Sequence, residues 1–334
     1  MVDSLPFHPI PLALATLLSA HGLRKRSLSP SGAVAAFVVG YAMLSPPLKT
    51  FGVTLIVFYL VGSRATKYGK HLKSTLESNH DVAGYRNARQ VLSNSLPALF
   101  AATLWTILFA QPSYSFLAQY SDAVREVMGL GTFRGMASIA DGTWKGDGAW
   151  CVLDRTVDKG WSRALVYAAL GQFSTCLGDT LASELGILAR SPPRLVTTFR
   201  VVPPGTNGAI SAWGTFCSGI GGAIVGAAAA AAVWYEDGAC RGVGTVMELV
   251  GWGVVGGVGG SMLDSLLGAT VQRTRYDAAS KKILTDDGPS VKPVNGQQRV
   301  DEKIQVVAGW DILSNNQVNF VSSLGLAVLI AWLA

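Results

Sequence analysis

The sequence predicts an all-α fold: a polytopic membrane helix bundle with internal repeats and about seven or eight transmembrane helices. Three observations carry this. Only 14% of the residues are charged, against about 25% in soluble domains. Apolar residues make up 49% of the chain and fall in long runs, with a mean hydropathy of +0.35. Short stretches also recur within the chain. Gly178-Asp179-Thr180-Leu181-Ala182-Ser183-Glu184-Leu185-Gly186 aligns without gaps on Gly260-Ser261-Met262-Leu263-Asp264-Ser265-Leu266-Leu267-Gly268. Ala65-Thr66-Lys67-Tyr68-Gly69 is a looser third copy of the last five positions. The 38 glycines suit membrane helices, where small residues let backbones approach closely.

The apolar runs are Ile10–Leu23, Gly32–Leu44, Leu48–Gly62, Ser95–Ala110, Ala164–Leu188, Ala209–Tyr235, Val246–Ala269 and Val318–Ala334. The second and third flank Ser45-Pro46-Pro47 and sit near the lower limit of about 17 residues for a span. They read as two thin helices or a re-entrant pair. No A-x-A-like cleavage site follows the first run, so it is expected to be retained.

Alternating connections divide the charge. Those at residues 24–26, 64–89, 190–200 and 273–303 hold nineteen of the 27 basic residues. The positive-inside rule then places these connections in the cytosol and both chain ends on the far side. The chain reads as one integral membrane domain over 1–334. It carries a non-cytosolic insertion loop at 111–160 and a flexible cytosolic loop at 273–306. Cys151 and Cys240 fall on the far side, where a disulfide is permitted if that side is oxidising. No Cys/His cluster points to zinc, and no nucleic-acid-binding motif is present. The net charge of +6 speaks instead to topology and to anionic lipid or phosphate.

Ionisable groups in membrane helices are costly and mark functional sites. Asp179 and Ser183 share a helix face, with Glu184 displaced by about 100°. Asp264 repeats the pattern. Hard oxygen ligands of this kind suit Mg²⁺, which takes one or two carboxylates plus phosphate oxygens. Asp179, Glu184 and Asp264 are therefore the candidate metal ligands, and with Lys67 the candidate catalytic set. Arg64, Lys70, Arg86 and Arg194 are candidate phosphate ligands, since guanidinium forks grip phosphate and lysine supplies a mobile charge. Gly205-Thr206-Asn207-Gly208 follows Pro203-Pro204 and enters an apolar run, a geometry that could cradle phosphate. Ser29-Pro30-Ser31-Gly32 resembles it at an earlier helix start. Gln90, Asn94, Ser183, Ser265, Asn316 and Asn319 complete the candidate polar set.

The runs Ser63–Lys70, Gly84–Asn94, Asp179–Gly186, Pro204–Gly208, Asp264–Ala269 and Asn315–Asn319 resemble the transmembrane protein 19 family, the domain of unknown function 92. The resemblance covers most of the chain. That family includes plant phytyl-phosphate kinases. The spacing Asp179, Ala182, Gly186, followed by a Gly-rich helix entry, is more distantly similar to CTP-dependent dolichol kinases, although Pro203-Pro204 stands where these often carry Lys-Thr. The resemblance implies an isoprenyl-phosphate kinase using a nucleoside triphosphate, first of all CTP, with Mg²⁺ at the cytosolic face. Implied partners are membrane lipid, an isoprenyl phosphate and a nucleotide, with a homodimer left open. A transporter or a non-catalytic lipid-binding membrane protein is the alternative. The endoplasmic reticulum is the default location.

Overall fold

The computed structural model describes residues 7–68, 85–130, 143–146, 148–189, 191–278, 281–284 and 304–334. Long helices dominate these residues. They are α1 (Pro9–Arg24), α2 (Pro30–Leu44), α3 (Thr50–Tyr68), the short α4 (Ala88–Ser93), α5 (Leu96–Phe109), the short α6 (Ser121–Val127), α7 (Trp161–Leu185), α8 (Ala212–Glu236), α9 (Val243–Val271) and α10 (Asn315–Leu333). Three of them, α8, α9 and α10, are long and apolar enough to cross a membrane. The helices α2 and α5 are apolar but have only 15 and 14 residues. At about 1.5 Å per residue these reach roughly 22 Å, short of the roughly 30 Å hydrocarbon core. The helix α7 has 25 residues, yet Gln172, Ser174 and Thr175 lie buried within it. The larger count of seven or eight spans is thus not established by length and composition.

Helix starts follow local chemistry. Ser29 caps α2 by accepting from Gly32 N, with Pro30 at the first helical position. Ser211 caps α8 in the same way by accepting from Gly214 N. Capping boxes open α4 (Asn87 with Gln90) and α10 (Ser314 with Gln317). The expected entry of the Gly205–Gly208 turn directly into a helix is corrected. The strand β2 (Ala209–Ile210) intervenes, pairing antiparallel with β1 (Arg194–Leu195).

The centre of the bundle is a junction of α7, α8 and α9, packed backbone to backbone. A Cβ at Gly178 would lie 2.6 Å from Gly257 Cα, and one at Gly221 would lie 2.9 Å from Gly178 Cα. Gly222 and Gly253 face each other's carbonyls, and Gly260 rests on Thr175. The spacings Gly222-x-x-x-Gly226 and Gly253-x-x-x-Gly257 put these small residues on single helix faces. Helix α10 packs against α7 and α9, and α3 against α7 and α8.

One end of the bundle is tied by polar contacts among the connections. Glu236 accepts from Lys49 N (2.6 Å) and Thr50 N (3.2 Å). Buried Arg125 and Asp158 pair at 2.6 and 2.8 Å within the 111–160 segment. Cys151 and Cys240 are joined in a disulfide, Cα–Cα 4.9 Å. His8 Nε2 meets Tyr114 O (3.1 Å), and Arg163 Nε donates to Ala334 O (2.7 Å), so both described chain ends lie here. At the other end, the described flanks of the 273–306 loop are strands: β3 (Thr274–Asp277), β4 (Lys282–Leu284) and β5 (Ile304–Ala308), in the order β4-β3-β5. A flexible loop was expected there. Residues 285–303 lie outside the described residues.

Candidate functional site

The glycine junction sets two acids side by side. Asp179 follows Gly178 on α7. Asp264 lies seven residues beyond Gly257 on α9, two turns further along the helix. The carboxylates of Asp179 and Asp264 interact electrostatically with each other. Ser261 Oγ donates to Asp179 Oδ1 (3.4 Å). Ser322 Oγ of α10 donates to Asp264 Oδ2 (3.0 Å). With its amide oriented to suit its neighbours, Asn319 also donates to Asp264 Oδ2 (3.1 Å) and to Asn315 O (3.1 Å). Ser261 is the counterpart of Asp179 in the repeat alignment, so the two copies meet at equivalent positions.

Arg86 approaches the same region from the α3–α4 connection. Two backbone bonds hold it against the α1–α2 turn: Arg86 N donates to Ser27 O (3.1 Å), and Ser29 N donates to Arg86 O (2.9 Å). Gly32 lies so close to Arg86 O that a Cβ there would overlap it. The guanidinium crosses α3 over Gly62 and donates to Ser63 Oγ (3.1 Å). Burial lowers its pKa from the ordinary value, opposed by Tyr59, Glu184 and Cys176. Glu184 thus stands toward Arg86. Cys176 interacts electrostatically with Arg86 and both aspartates, and its Sγ reaches Asn94 O (3.7 Å) and Asn94 Oδ1 (4.0 Å).

Residues 13–327 of the chain match the model of the integral membrane protein family DUF92. The chain belongs to that family. It is 28% identical to Protein PGR of Arabidopsis thaliana over 315 residues, 93% of this chain and 90% of that protein. An uncharacterized membrane protein of Methanocaldococcus jannaschii is 35% identical over 114 residues, 34% of this chain and 43% of its own length. Another from Synechocystis sp. is 41% identical over 69 residues, 20% of this chain and 27% of its own. No solved structure matches. The resemblance carried by the Asp179, Asp264 and Pro204–Gly208 motifs is therefore borne out at the level of the family.

The remaining expected site residues divide into two groups. Asp179, Asp264, Glu184, Arg86, Asn94 and Asn319 come together. Lys67 and Arg64 are exposed on the last turns of α3. Lys67 lies one turn beyond Ser63 on the same helix face. Gln90 spends its side-chain oxygen on Asn87 N (3.0 Å) in the capping box. Exposed Ser183 donates to Thr180 O (3.1 Å), and exposed Arg194 donates to Phe199 O (2.8 Å). The Gly205–Gly208 turn packs on α9, where a Cβ at Gly208 would lie 2.5 Å from Ser265 O. Its Thr206, Asn207 and Ala209 N–H groups donate to Pro203 O, Thr274 Oγ1 and Thr206 O. Asn316 is partly buried near the start of α10, and Lys70 lies outside the described residues. Ser261, Cys176, Ser322 and Tyr59 were not foreseen. Asn319-x-x-Ser322 is a same-face spacing that could have flagged Ser322.

Asp179 and Asp264 with their hydroxyl neighbours Ser261 and Ser322 form a hard oxygen donor set from three helices. That set fits Mg²⁺ holding one or two carboxylates and completing its shell with phosphate oxygens and water. Among the described residues, three His, Cys, Asp or Glu ligand atoms gather within 4.8 Å of one another at Cys151, Asp237 and Cys240 alone. Those are at the opposite end, and two of the three are spent in the disulfide.

Proposed function

We propose that this protein is an integral membrane phosphotransferase that converts an isoprenyl monophosphate to its diphosphate, using a nucleoside triphosphate, CTP first, with Mg²⁺. One observation carries the proposal: paired carboxylates from repeat-related helices stand near a helix end, and Cys176 interacts electrostatically with both of them and with Arg86. Asp179 is six residues from the end of α7 and Asp264 seven from the end of α9. At about 1.5 Å per residue this is roughly 10 Å, shallower than the midplane of a roughly 30 Å core. A charge cluster near one interface suits a soluble nucleotide meeting a lipid phosphate.

Asp179 and Asp264 would hold Mg²⁺, which supplies charge neutralisation on the nucleotide phosphates when bound. Ser261, Ser322 and Asn319 orient those carboxylates. Arg86 would take the lipid phosphate, steadied by Ser63 and Glu184, with Lys67 beside it at the mouth. A lipid phosphate oxygen attacks the γ-phosphorus. The bond to the β-phosphate oxygen breaks, and the nucleoside diphosphate leaves. The attacking oxygen is already anionic, so no general base is required. Positioning and electrostatics do most of the work in such transfers. The disulfide at the end opposite the charged site suits a chain whose far side faces an oxidising lumen, in keeping with the endoplasmic reticulum.

The test is a matrix of four labelled triphosphates against phytyl, geranylgeranyl and farnesyl phosphates, with purified protein and Mg²⁺. Transfer is expected, and Asp179→Asn is expected to lower turnover at least ~100-fold, the scale of losing one transition-state charge contact. No transfer by folded protein in any cell of the matrix sinks the proposal.

A second reading, a transporter, is favoured by one feature. Gln172 Oε1 and Ser174 Oγ are buried in α7, deeper than Asp179, without a hydrogen-bond partner among the described residues. Buried polar atoms at such depth can line a polar path. Solute or proton flux into liposomes that Gln172→Leu abolishes would favour it.

A further inference from the structure

A groove of about 860 Å³ runs along the outside of the bundle between α5, α7 and α10. Its volume is in the range of ligand sites. On α10 it is lined from Phe320 to Trp332, so at about 1.5 Å per residue it extends roughly 18 Å. Its two ends are distinct. Phe320 follows Asn319, which donates to Asp264, so that end lies near the two aspartates. Trp332 is close to Ala334, whose carbonyl accepts from Arg163, and Arg163 follows closely on Trp161. Trp161 and Trp332 therefore share the disulfide end. The helix α10 is long and apolar enough to cross a membrane, and Phe100, Val328 and Trp332 of the groove are exposed. The groove thus opens toward hydrocarbon.

Among the described residues that line it, Lys159 alone is charged, and it stands at the disulfide end. Asp158 (φ 52°), Lys159 (φ 57°) and Gly160 (φ 81°) make a left-handed turn into α7. Asp158 faces inward to its buried pair with Arg125, which pins that turn. Lys159 is left exposed, with Nζ donating to Gly129 O (3.0 Å). An ammonium has three donors, and this bond uses one. Charge then selects the occupant. An isoprenyl phosphate with its head at Arg86 would lay its hydrocarbon tip against Lys159. A second copy of this face would bring another Lys159 and no carboxylate, since the described lining holds none. A phospholipid of the leaflet at the disulfide end meets both demands, with phosphate at the ammonium and hydrocarbon along α10. One leaflet fills about half of a roughly 30 Å core, about 15 Å, which the groove accommodates. Trp161 and Trp332 mark the headgroup level, where membrane-protein tryptophans collect.

We propose that this groove binds one phospholipid of the leaflet on the disulfide side, its phosphate held by Lys159 and one acyl chain lying along α10 toward Phe320. This goes beyond the phosphotransferase reading and does not depend on it. The bound lipid would brace α10, which supplies Ser322 and Asn319 to Asp264, against α5 and α7.

The experiment is native mass spectrometry of the full chain in detergent, titrated with phosphatidylglycerol or with diacylglycerol of the same chains. Wild type is expected to take one phosphatidylglycerol per chain. Lys159→Gln is expected to weaken phosphatidylglycerol about fivefold, the scale of one lysine at an anionic surface, and diacylglycerol by less than ~2-fold. Retained diacylglycerol binding shows that this variant is folded. Ala168→Trp, which fills the groove, is expected to weaken both lipids. Equal loss of both lipids in Lys159→Gln, or loss of neither, overturns the proposal. Displacement of phosphatidylglycerol by geranylgeranyl phosphate would overturn it in favour of substrate, and a lipid-free dimer would overturn it in favour of a second copy. An independent check uses unaltered protein and phosphatidylglycerol with a photoreactive group at the end of one acyl chain. Labelling of the peptides holding Leu96 and Phe320 supports the assignment, and labelling confined to α8 overturns it.

Discussion

At the scale of single residues, the repeat in the sequence pointed to Asp179 and Asp264 because a carboxylate in an apolar run is hard to explain otherwise. It could not say that Asp264 would be gripped from α10, since that contact joins residues 58 apart. Ser322 is the sharper test of that grip. Hydroxyls that orient a metal-binding carboxylate typically matter by 10–100-fold in metal affinity. Ser322→Ala should therefore raise the Mg²⁺ concentration for half-maximal turnover about tenfold, with the maximal rate little changed. The check is a Mg²⁺ titration of initial rates. A titration that superimposes on wild type would remove Ser322, and with it the assigned role of Asp264. Arg86→Lys belongs here too. A lysine keeps the charge but loses the fork that spans Ser63 and a phosphate, so turnover should fall well below wild type rather than match it. Equal rates would show that a point charge suffices.

At the scale of elements, the glycines were legible as a composition and not as a place. Thirty-eight glycines suggested tight packing, yet only the structure shows that Gly178, Gly221 and Gly257 converge. Convergence depends on helix crossings that short-range spacing cannot report. The Ser-capped starts of α2 and α8 and the boxes opening α4 and α10 recur in the same order, a repeat that pairs α2 with α8 and α4 with α10, separate from the pairing of α7 with α9 in the Gly178 and Gly260 runs. The Gly205–Gly208 turn was misjudged as a helix entry because Ala209 and Ile210 are apolar whether they pair as a strand or open a helix. Gly257→Leu should split the α8–α9 contact, since the atoms it would meet, Ser218 O and the Gly222 backbone, cannot turn aside. Overpacking typically costs about 1–3 kcal/mol. The unfolding midpoint should drop, and turnover should fall further than for a leucine at Gly251, where an added Cβ meets nothing within 4 Å. Equal effects at the two positions would argue against the junction as the frame of the site.

At the scale of the whole molecule, the disulfide and the proposed site occupy opposite ends. The sequence allowed a Cys151–Cys240 bond by placing both on one side, but 89 residues separate them and no local pattern pairs them. Around the bond, buried Asp237 accepts from Val152 N (3.0 Å), Ala239 N (3.0 Å) and Trp144 Nε1 (3.3 Å). Arg163 pairs with Glu248 and also reaches the described C-terminal residue. None of these groups touches Asp179, Asp264 or Arg86. Removing the bond should therefore cost stability without altering chemistry. A native bridge typically contributes about 2–4 kcal/mol. Cys151→Ser with Cys240→Ser should lower the unfolding midpoint by several degrees, and a reductant should do the same to the unaltered chain. Turnover at temperatures where the variant stays folded should remain within about twofold of wild type, as expected for groups that share no partner with the site. The decisive measurement is rate against temperature for both proteins. Curves that coincide when cold and part on heating place the bond in the scaffold. A uniform loss at every temperature would mean that the two ends are mechanically coupled, as alternating access requires and phosphoryl transfer at one interface does not.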